Sequence, residues 1–418
     1  MTPPAIHEIG RLAIRPFDTV TLDNGLQVHS ILDTTTEICR LTLLLPGGEA
    51  ESPLPGLFVL GNTLLAEGTR RHSGAEIADS LDFEGAWWGP QLTTHYSPLD
   101  FYSLSSKTAA IFDTAIEMLL EPVFPQEAID NSLRQLAGRI EVSQRQASYL
   151  SACCQNRLLY RPDSALSRSA SVDLLPQYTR ELFVKAHASR LDPSQMHCCI
   201  SGRLSDDDFA RIVGRLAEIP AAEKAFEFKP AGFRDSYTDT RVDTPLEGSV
   251  QTSVRIAVPT IGRRHPDYIA VRFAVLALGG AFGSRLMSNI REEKALTYGI
   301  NAQLSGYADR GFMGIACQTR EPETVIAECE REIVRLADPA SYTPDELTRL
   351  RRTALSSLAS ILDTPFSRMD FLQTRITADT PADYFEAQQQ LALSLTPELL
   401  ATAAATHLQG PRLISTAG

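Results

Sequence analysis

The order of strand and helix signals in the first half of this chain recurs in the second, and this repeat limits the fold more than any other feature. Asp18-Thr-Val-Thr-Leu-Asp-Asn-Gly-Leu-Gln-Val28 reads as two short strands around an Asn24-Gly25 turn, a dipeptide that accepts the positive φ of a tight hairpin. A strand through Ile38–Leu45 follows, then an apolar helix carrying Leu57, Leu60, Leu64 and Leu65. Ser73-Gly-Ala-Glu76 is a capping box that opens a helix running to Gly85. A strand at Asp100–Leu104 leads to a helix with Ala109, Phe112, Ile116 and Leu119 at helical spacing. A long helix then starts near Pro125, and Ser205 caps one more. In the second half Val254, Ile256 and Val258 alternate as a half-buried strand does, and a helix runs from His265 to Leu278. A strand at Phe312–Ala316 leads to the helix Pro322–Leu336, and Thr343-Pro-Asp-Glu346 caps a long helix to Ile361.

A chain of 418 residues is too long for one compact core. The expected class is α+β: two homologous α/β halves, each a largely antiparallel sheet with helices on one face. The halves are placed at 1–218 and 236–418, with a linker at 219–235.

Charge and cysteine usage narrow the function. The balance of 39 basic and 51 acidic residues gives −12, which argues against nucleic acid or an anionic membrane as the main partner. No apolar run approaches the roughly 20 residues of a membrane span, and Met1–Glu8 has neither a basic nor an apolar leader region. Seven cysteines, odd in number and with no C-x-x-C, read as buried free thiols rather than a disulfide framework or zinc ribbon. A cytoplasmic location is the expectation.

The segment Gly56-Leu-Phe-Val-Leu-Gly-Asn-Thr-Leu-Leu-Ala-Glu-Gly-Thr69 resembles the zinc-site helix of the pitrilysin-like (M16) metallopeptidases, G-x-x-H-x-x-E-H-x-x-x-x-G-T, without gaps. The positions for His, Glu and His hold Val59, Asn62 and Thr63. A zinc peptidase needs two imidazoles one helical turn apart and a carboxylate to deprotonate the metal-bound water. Val has no lone pair, and Asn and Thr are poor zinc ligands. The family's third ligand would fall near Gly138-Arg139, with Glu141 close but out of frame.

Gly279-Gly-Ala-Phe-Gly-Ser-Arg-Leu-Met-Ser-Asn-Ile-Arg-Glu-Glu-Lys-Ala-Leu-Thr-Tyr298 is similar to the M16 second-half pattern G-G-x-x-x-S-R-L-x-x-x-I-R-x-x-x-x-x-x-Y. The resemblance puts the family's substrate-holding Arg and Tyr on Arg291 and Tyr298. A guanidinium fork can donate two hydrogen bonds to a peptide carbonyl or carboxylate, and a Tyr hydroxyl can donate to a developing oxyanion. The bland alternative is that Arg291 pairs with Glu292, Glu293 or another acid while Tyr298 merely starts a strand. Gly279, Gly280 and Gly283 lack the Lys-Ser/Thr of a P-loop and read as a tight connection.

Other chemistry is weaker. His72 and Glu76 are four apart but read as a solvated helix start, and no G-x-S-x-G occurs. Trp87-Trp88 is either sheet packing or an exposed peptide-binding pair.

The resemblance implies two stacked halves forming a clam-like chamber. It further implies a non-catalytic subunit that binds no zinc and pairs with an H-x-x-E-H chain supplying it. Arg291 and Tyr298 would then hold a peptide substrate, and the isolated chain could form a homodimer. The alternative is an M16-derived scaffold or interaction protein with no part in proteolysis, like the family's respiratory-complex core proteins.

Overall fold

A computed structural model describes residues 9–418, so the Met1–Glu8 segment lies outside it. Strands β1 (Asp18–Thr21), β2 (Gln27–Leu32), β3 (Ile38–Pro46), β4 (Trp87–Pro90), β5 (Tyr96–Leu104) and β6 (His197–Gly202) form one sheet, in the order β1-β2-β6-β3-β5-β4. Strands β7 (Arg241–Thr244), β8 (Thr252–Ile261), β9 (Thr297–Gly306), β10 (Arg310–Thr319) and β11 (Leu413–Ala417) form a second, in the order β7-β11-β8-β10-β9. The strands β2-β6-β3-β5-β4 match β7-β11-β8-β10-β9 in position and sense. In each sheet one pair is parallel, β2 with β6 and β7 with β11, and the other pairings are antiparallel. Each parallel pair arises because the last strand of the unit returns from a long helical excursion and inserts beside the first.

The helices are α1 (Leu57–Thr63), α2 (Gly74–Phe83), α3 (Thr108–Leu120), α4 (Gln126–Ser143), α5 (Ala147–Leu159), α6 (Arg180–Ala188) and α7 (Asp206–Ala217). After the linker come α8 (Tyr268–Val275), α9 (Pro322–Arg335), α10 (Pro344–Ile361), α11 (Pro365–Thr377), α12 (Tyr384–Leu393) and α13 (Pro397–His407). The local signals hold where they were read. Gly25 has φ 90° at the hairpin turn, and Ser73 and Glu76 cap α2 reciprocally. The Thr343 side chain accepts from the Glu346 N–H at the start of α10.

Leu41, Leu43, Leu45, Phe101 and Ile200 of the first sheet bury against Ile77, Ile111, Phe112 and Ile212 from the helices. Val254, Ile256, Val258 and Ile315 of the second sheet do the same with Val271, Ala274, Ile326, Ile333 and Leu355. The expectation of helices on one face only needs correction, because the opposite faces are covered too. Met369 and Leu372 of α11 pack on Ile31, Leu44 and Cys199 of the first sheet. Leu158 and Leu159 of α5 pack beside Ala257 and Leu413 of the second. Each covering helix therefore comes from the other half of the sequence. The physical reason lies in the strands themselves: Leu41-Thr-Leu-Leu-Leu45 is apolar on both sides of its pleat, as doubly covered strands are.

A charge cluster built on a buried Arg40–Asp100 pair and an exposed Asp370 locks one crossing. The Arg40 guanidinium donates to Asp100 Oδ1 at 3.2 Å and pairs with Asp370 of α11. Polar side chains hold the other: the Ser151 and Ser253 hydroxyls lie 2.9 Å apart, and Ser415 Oγ donates to the Ser151 carbonyl at 2.9 Å.

Candidate functional site

Helix α1 carries the three positions that would be zinc ligands or base. Val59 is half-buried, Asn62 is fully buried and Thr63 is exposed, its hydroxyl donating to the Val59 carbonyl at 3.0 Å. The Asn62 amide oxygen accepts from Arg190 Nη2 at 2.7 Å. Arg190 is only 1% exposed, also donates to Ser97 Oγ at 3.2 Å, and lies 4.3 Å from the Phe58 ring centroid. Desolvation weakens the hold of its guanidinium on the proton. At the position of the base there is thus an amide whose acceptor serves a buried cation. Gly138, Arg139 and Glu141 are all exposed on α4.

Arg291 and Tyr298 come together. The chain after α8 makes a wide π-type turn at Leu276–Gly280 and another at Met287–Glu293, which carries Arg291. A Cβ on Gly279 would lie 2.6 Å from the Ala302 backbone nitrogen, and Gly283 has φ 75°. These glycines seat the turns against β9, as a tight connection requires. The second turn is anchored to α9, where Asn289 Nδ2 donates to Glu328 at 3.1 Å and to Glu332 at 2.9 Å. Arg285 of the same motif pairs with Glu346 at 2.7 Å and stacks on Tyr342, so its role is structural.

Arg291 differs from Arg285 in having no ion pair or hydrogen bond to another described residue. The pairing with Glu292 or Glu293 that the bland reading needs is not formed. Tyr298, at the start of edge strand β9, is 90% exposed. Both line a cleft of about 540 Å³ with Gln251, Thr297, Arg320 and Glu321. Between them Ala295 holds φ 52°, a left-handed conformation that costs a non-glycine residue about 1 kcal/mol.

Sequence reasoning missed Gln251, Arg255 and Arg320. Arg255 sits on β8 in an adjoining recess of about 320 Å³ that shares Gln251, Thr297 and Tyr298 with the cleft. The signal was present, since Arg255 is the polar phase of the Val254–Val258 alternation, but only the apolar phase was read.

The remaining clusters close on themselves. His265, Asp267 and His407 form the one group of three potential metal ligands found among the described residues. His407 Nε2 lies 2.8 Å from Asp267 Oδ2, and His265 Nδ1 accepts from the Asp267 backbone N–H at 3.1 Å. His72 bonds Glu117 rather than Glu76. Trp87 and Trp88 pack on Tyr102 and Phe101 across the β4–β5 pair, Trp88 half-buried and Trp87 56% exposed. All seven cysteines are free, and no described helix is long and apolar enough to cross a membrane.

A family model described as the peptidase M16 inactive domain matches residues 177–354. An uncharacterized zinc protease of Streptomyces coelicolor is 24% identical over 347 residues, covering 79% of this chain and 73% of that protein. The crystal structure of a peptidase M16 inactive domain from Pseudomonas fluorescens superposes with a TM-score of 0.86 at 22% identity, over 97% of this chain and 98% of that one. A chain of complex III2 from Candida albicans gives a TM-score of 0.74 at 13% identity, over 96% of this chain and 95% of that one. With the matched strand order of its two sheets and its two aligned motifs, the chain is a relative of the pitrilysin-like M16 peptidases.

Proposed function

We propose that this chain is a non-catalytic subunit of a heterodimeric M16 zinc peptidase, holding peptide substrate through Arg291 and Tyr298 while a partner bearing H-x-x-E-H cleaves it. The observation that carries this reading is an asymmetry between the two motifs. At the zinc motif, Asn62 serves Arg190, Val59 has no lone pair and Thr63 is a poor zinc ligand. At the second motif, Arg291 and Tyr298 line one cleft with their polar groups unspent, beside a strained Ala295. Strain of this kind concentrates at sites where a side chain must be aimed. Without a metal to lower the pKa of water, the chain alone hydrolyses nothing and takes up no zinc at these positions. The two halves, 1–218 and 236–418, form one side of a clam-like chamber that the partner completes in the cytoplasm.

The likeness to a complex III chain favours a second reading, an M16-derived scaffold with no part in proteolysis. One experiment separates them. Mixed with the zinc-bearing partner, the chain raises peptidase activity far above that of the partner alone. Arg291→Ala or Tyr298→Phe lowers it by roughly 30- to 1000-fold while the complex stays assembled, the usual effect of removing one donor to a developing charge. Full activity of both variants on several peptides would give the scaffold reading first place.

A further inference from the structure

The cleft around Tyr298 has a charge balance unlike the rest of the molecule. Three guanidinium groups open onto it: Arg291 and Arg320 in the cleft and Arg255 in the adjoining recess, against Glu321 as the one carboxylate in either lining. Arginines in three other buried or half-buried settings have oxygen partners, whereas Arg375 shares with Arg255 a buried Nε that lacks one among the described residues. Arg40 has Asp100 and Asp370, Arg285 has Glu346, and Arg190 has the Asn62 and Ser97 oxygens. Arg255 has none of this: its Nε is buried without a hydrogen-bond partner among the described residues. Burial pulls its guanidinium below the usual range, with nothing but a neighbouring Cys153 opposing. Leaving a half-buried charge unpaired is unfavourable, and the cost falls when an anion enters. On a chain of net charge −12, a local excess of arginines around one opening also needs a reason.

We propose that this compound cleft recognises a carboxylate on the bound peptide, with Arg255 in the recess as the group that reads it. The inference rests on the peptide-holding reading and adds a substrate class to it. Arg291 and Tyr298 hold the peptide at the mouth, where Tyr298 borders both cavities. The recess accepts one acidic side chain or the C-terminus, and the Arg255 fork donates to its oxygens. Gln251 lines the same recess and is placed to accompany it, whereas the Ser253 hydroxyl is already engaged with Ser151.

Isothermal titration calorimetry on the full chain tests this with four versions of one short, otherwise neutral peptide: internal Glu or Gln, each with a free or an amidated C-terminus. At least one acidic version binds about tenfold more tightly than the Gln amide, since a charge-assisted pair replaces a neutral contact. Which version gains tells side chain from terminus, and the gain shrinks in high salt. Arg255→Gln abolishes the preference and leaves affinity for the Gln amide unchanged, whereas Arg291→Ala weakens all four. Should Arg255→Gln fail to fold, Arg255→Lys, which keeps the charge but not the fork, lowers the preference. Equal binding of all four peptides, or a preference untouched by both Arg255 variants, overturns the carboxylate proposal alone. Binding of none of them at millimolar concentration overturns the peptide-holding reading with it.

Discussion

Asn62 and Arg190 meet where the related zinc peptidases would place a catalytic carboxylate, and their contact is a matter of stability rather than chemistry. The Arg190 side chain is buried and depends on three oxygens, of which Asn62 Oδ1 at 2.7 Å is the nearest. Removing an acceptor from a buried cation leaves part of its desolvation cost unanswered, whereas a carboxylate of the same shape answers it better. Asn62→Ala therefore costs about 2–3 kcal/mol of unfolding free energy, and Asn62→Asp costs clearly less. Urea titration of both variants against the parent chain checks this. A loss within about 0.5 kcal/mol for Asn62→Ala, the range of a neutral surface change, would mean that Arg190 is satisfied without it. The substitution of the zinc motif was plain from residue types. Its replacement by an Asn62–Arg190 contact was not, because the two residues are 128 positions apart and no local pattern joins them.

The turns that carry Arg291 show how an element can be legible in one respect and hidden in another. Glycines at 279, 280 and 283 announced a tight connection, and the structure gives the reason: the first turn presses its backbone on β9 at Ala302. The width of those turns and the anchoring of Asn289 to Glu328 and Glu332 were not legible, since they depend on α9 some 40 residues on. Gly279→Ala puts a Cβ 2.6 Å from a backbone nitrogen, which no side-chain rotation relieves. The expected cost is about 1–3 kcal/mol, the range of an overpacked core position. On the proposed peptide-holding role, peptide affinity falls as well, because the turn bearing Arg291 moves with its neighbour. Gly138→Ala is the control: it lies within α4 with open space around the new Cβ and gains about 0.5–1 kcal/mol from helix propensity. Denaturation midpoints read both effects. A Gly279→Ala protein as stable as the parent rules out the close approach as a requirement.

At the scale of the molecule, hairpins, caps and helical periodicity were readable because each is decided within a few residues, and they sufficed to reveal the repeated plan. The insertion of β6 beside β2 and the exchange of α5 and α11 between the sheets were not. They join residues 27 to 197, 151 to 415 and 40 to 370, far beyond any sequence window. That exchange decides how the chain comes apart. A cut within 220–225 severs an exposed stretch of the linker, but the first fragment still owns α5, whose Leu158 and Leu159 bury against the second sheet. The second fragment owns α11, whose Met369 and Leu372 bury against the first. Separated, each fragment exposes an apolar face on both its sheet and its helix, and the Arg40–Asp100 pair loses its Asp370 partner. A chain nicked in the linker therefore stays together in gel filtration and keeps the near-ultraviolet dichroism of the intact chain. Residues 1–222 and 223–418 made separately do not unfold cooperatively and bind hydrophobic dyes, and mixing them restores the nicked species. If either fragment alone proves monomeric with a sharp urea transition, the exchanged helices are accessories, and each half is a self-sufficient domain after all.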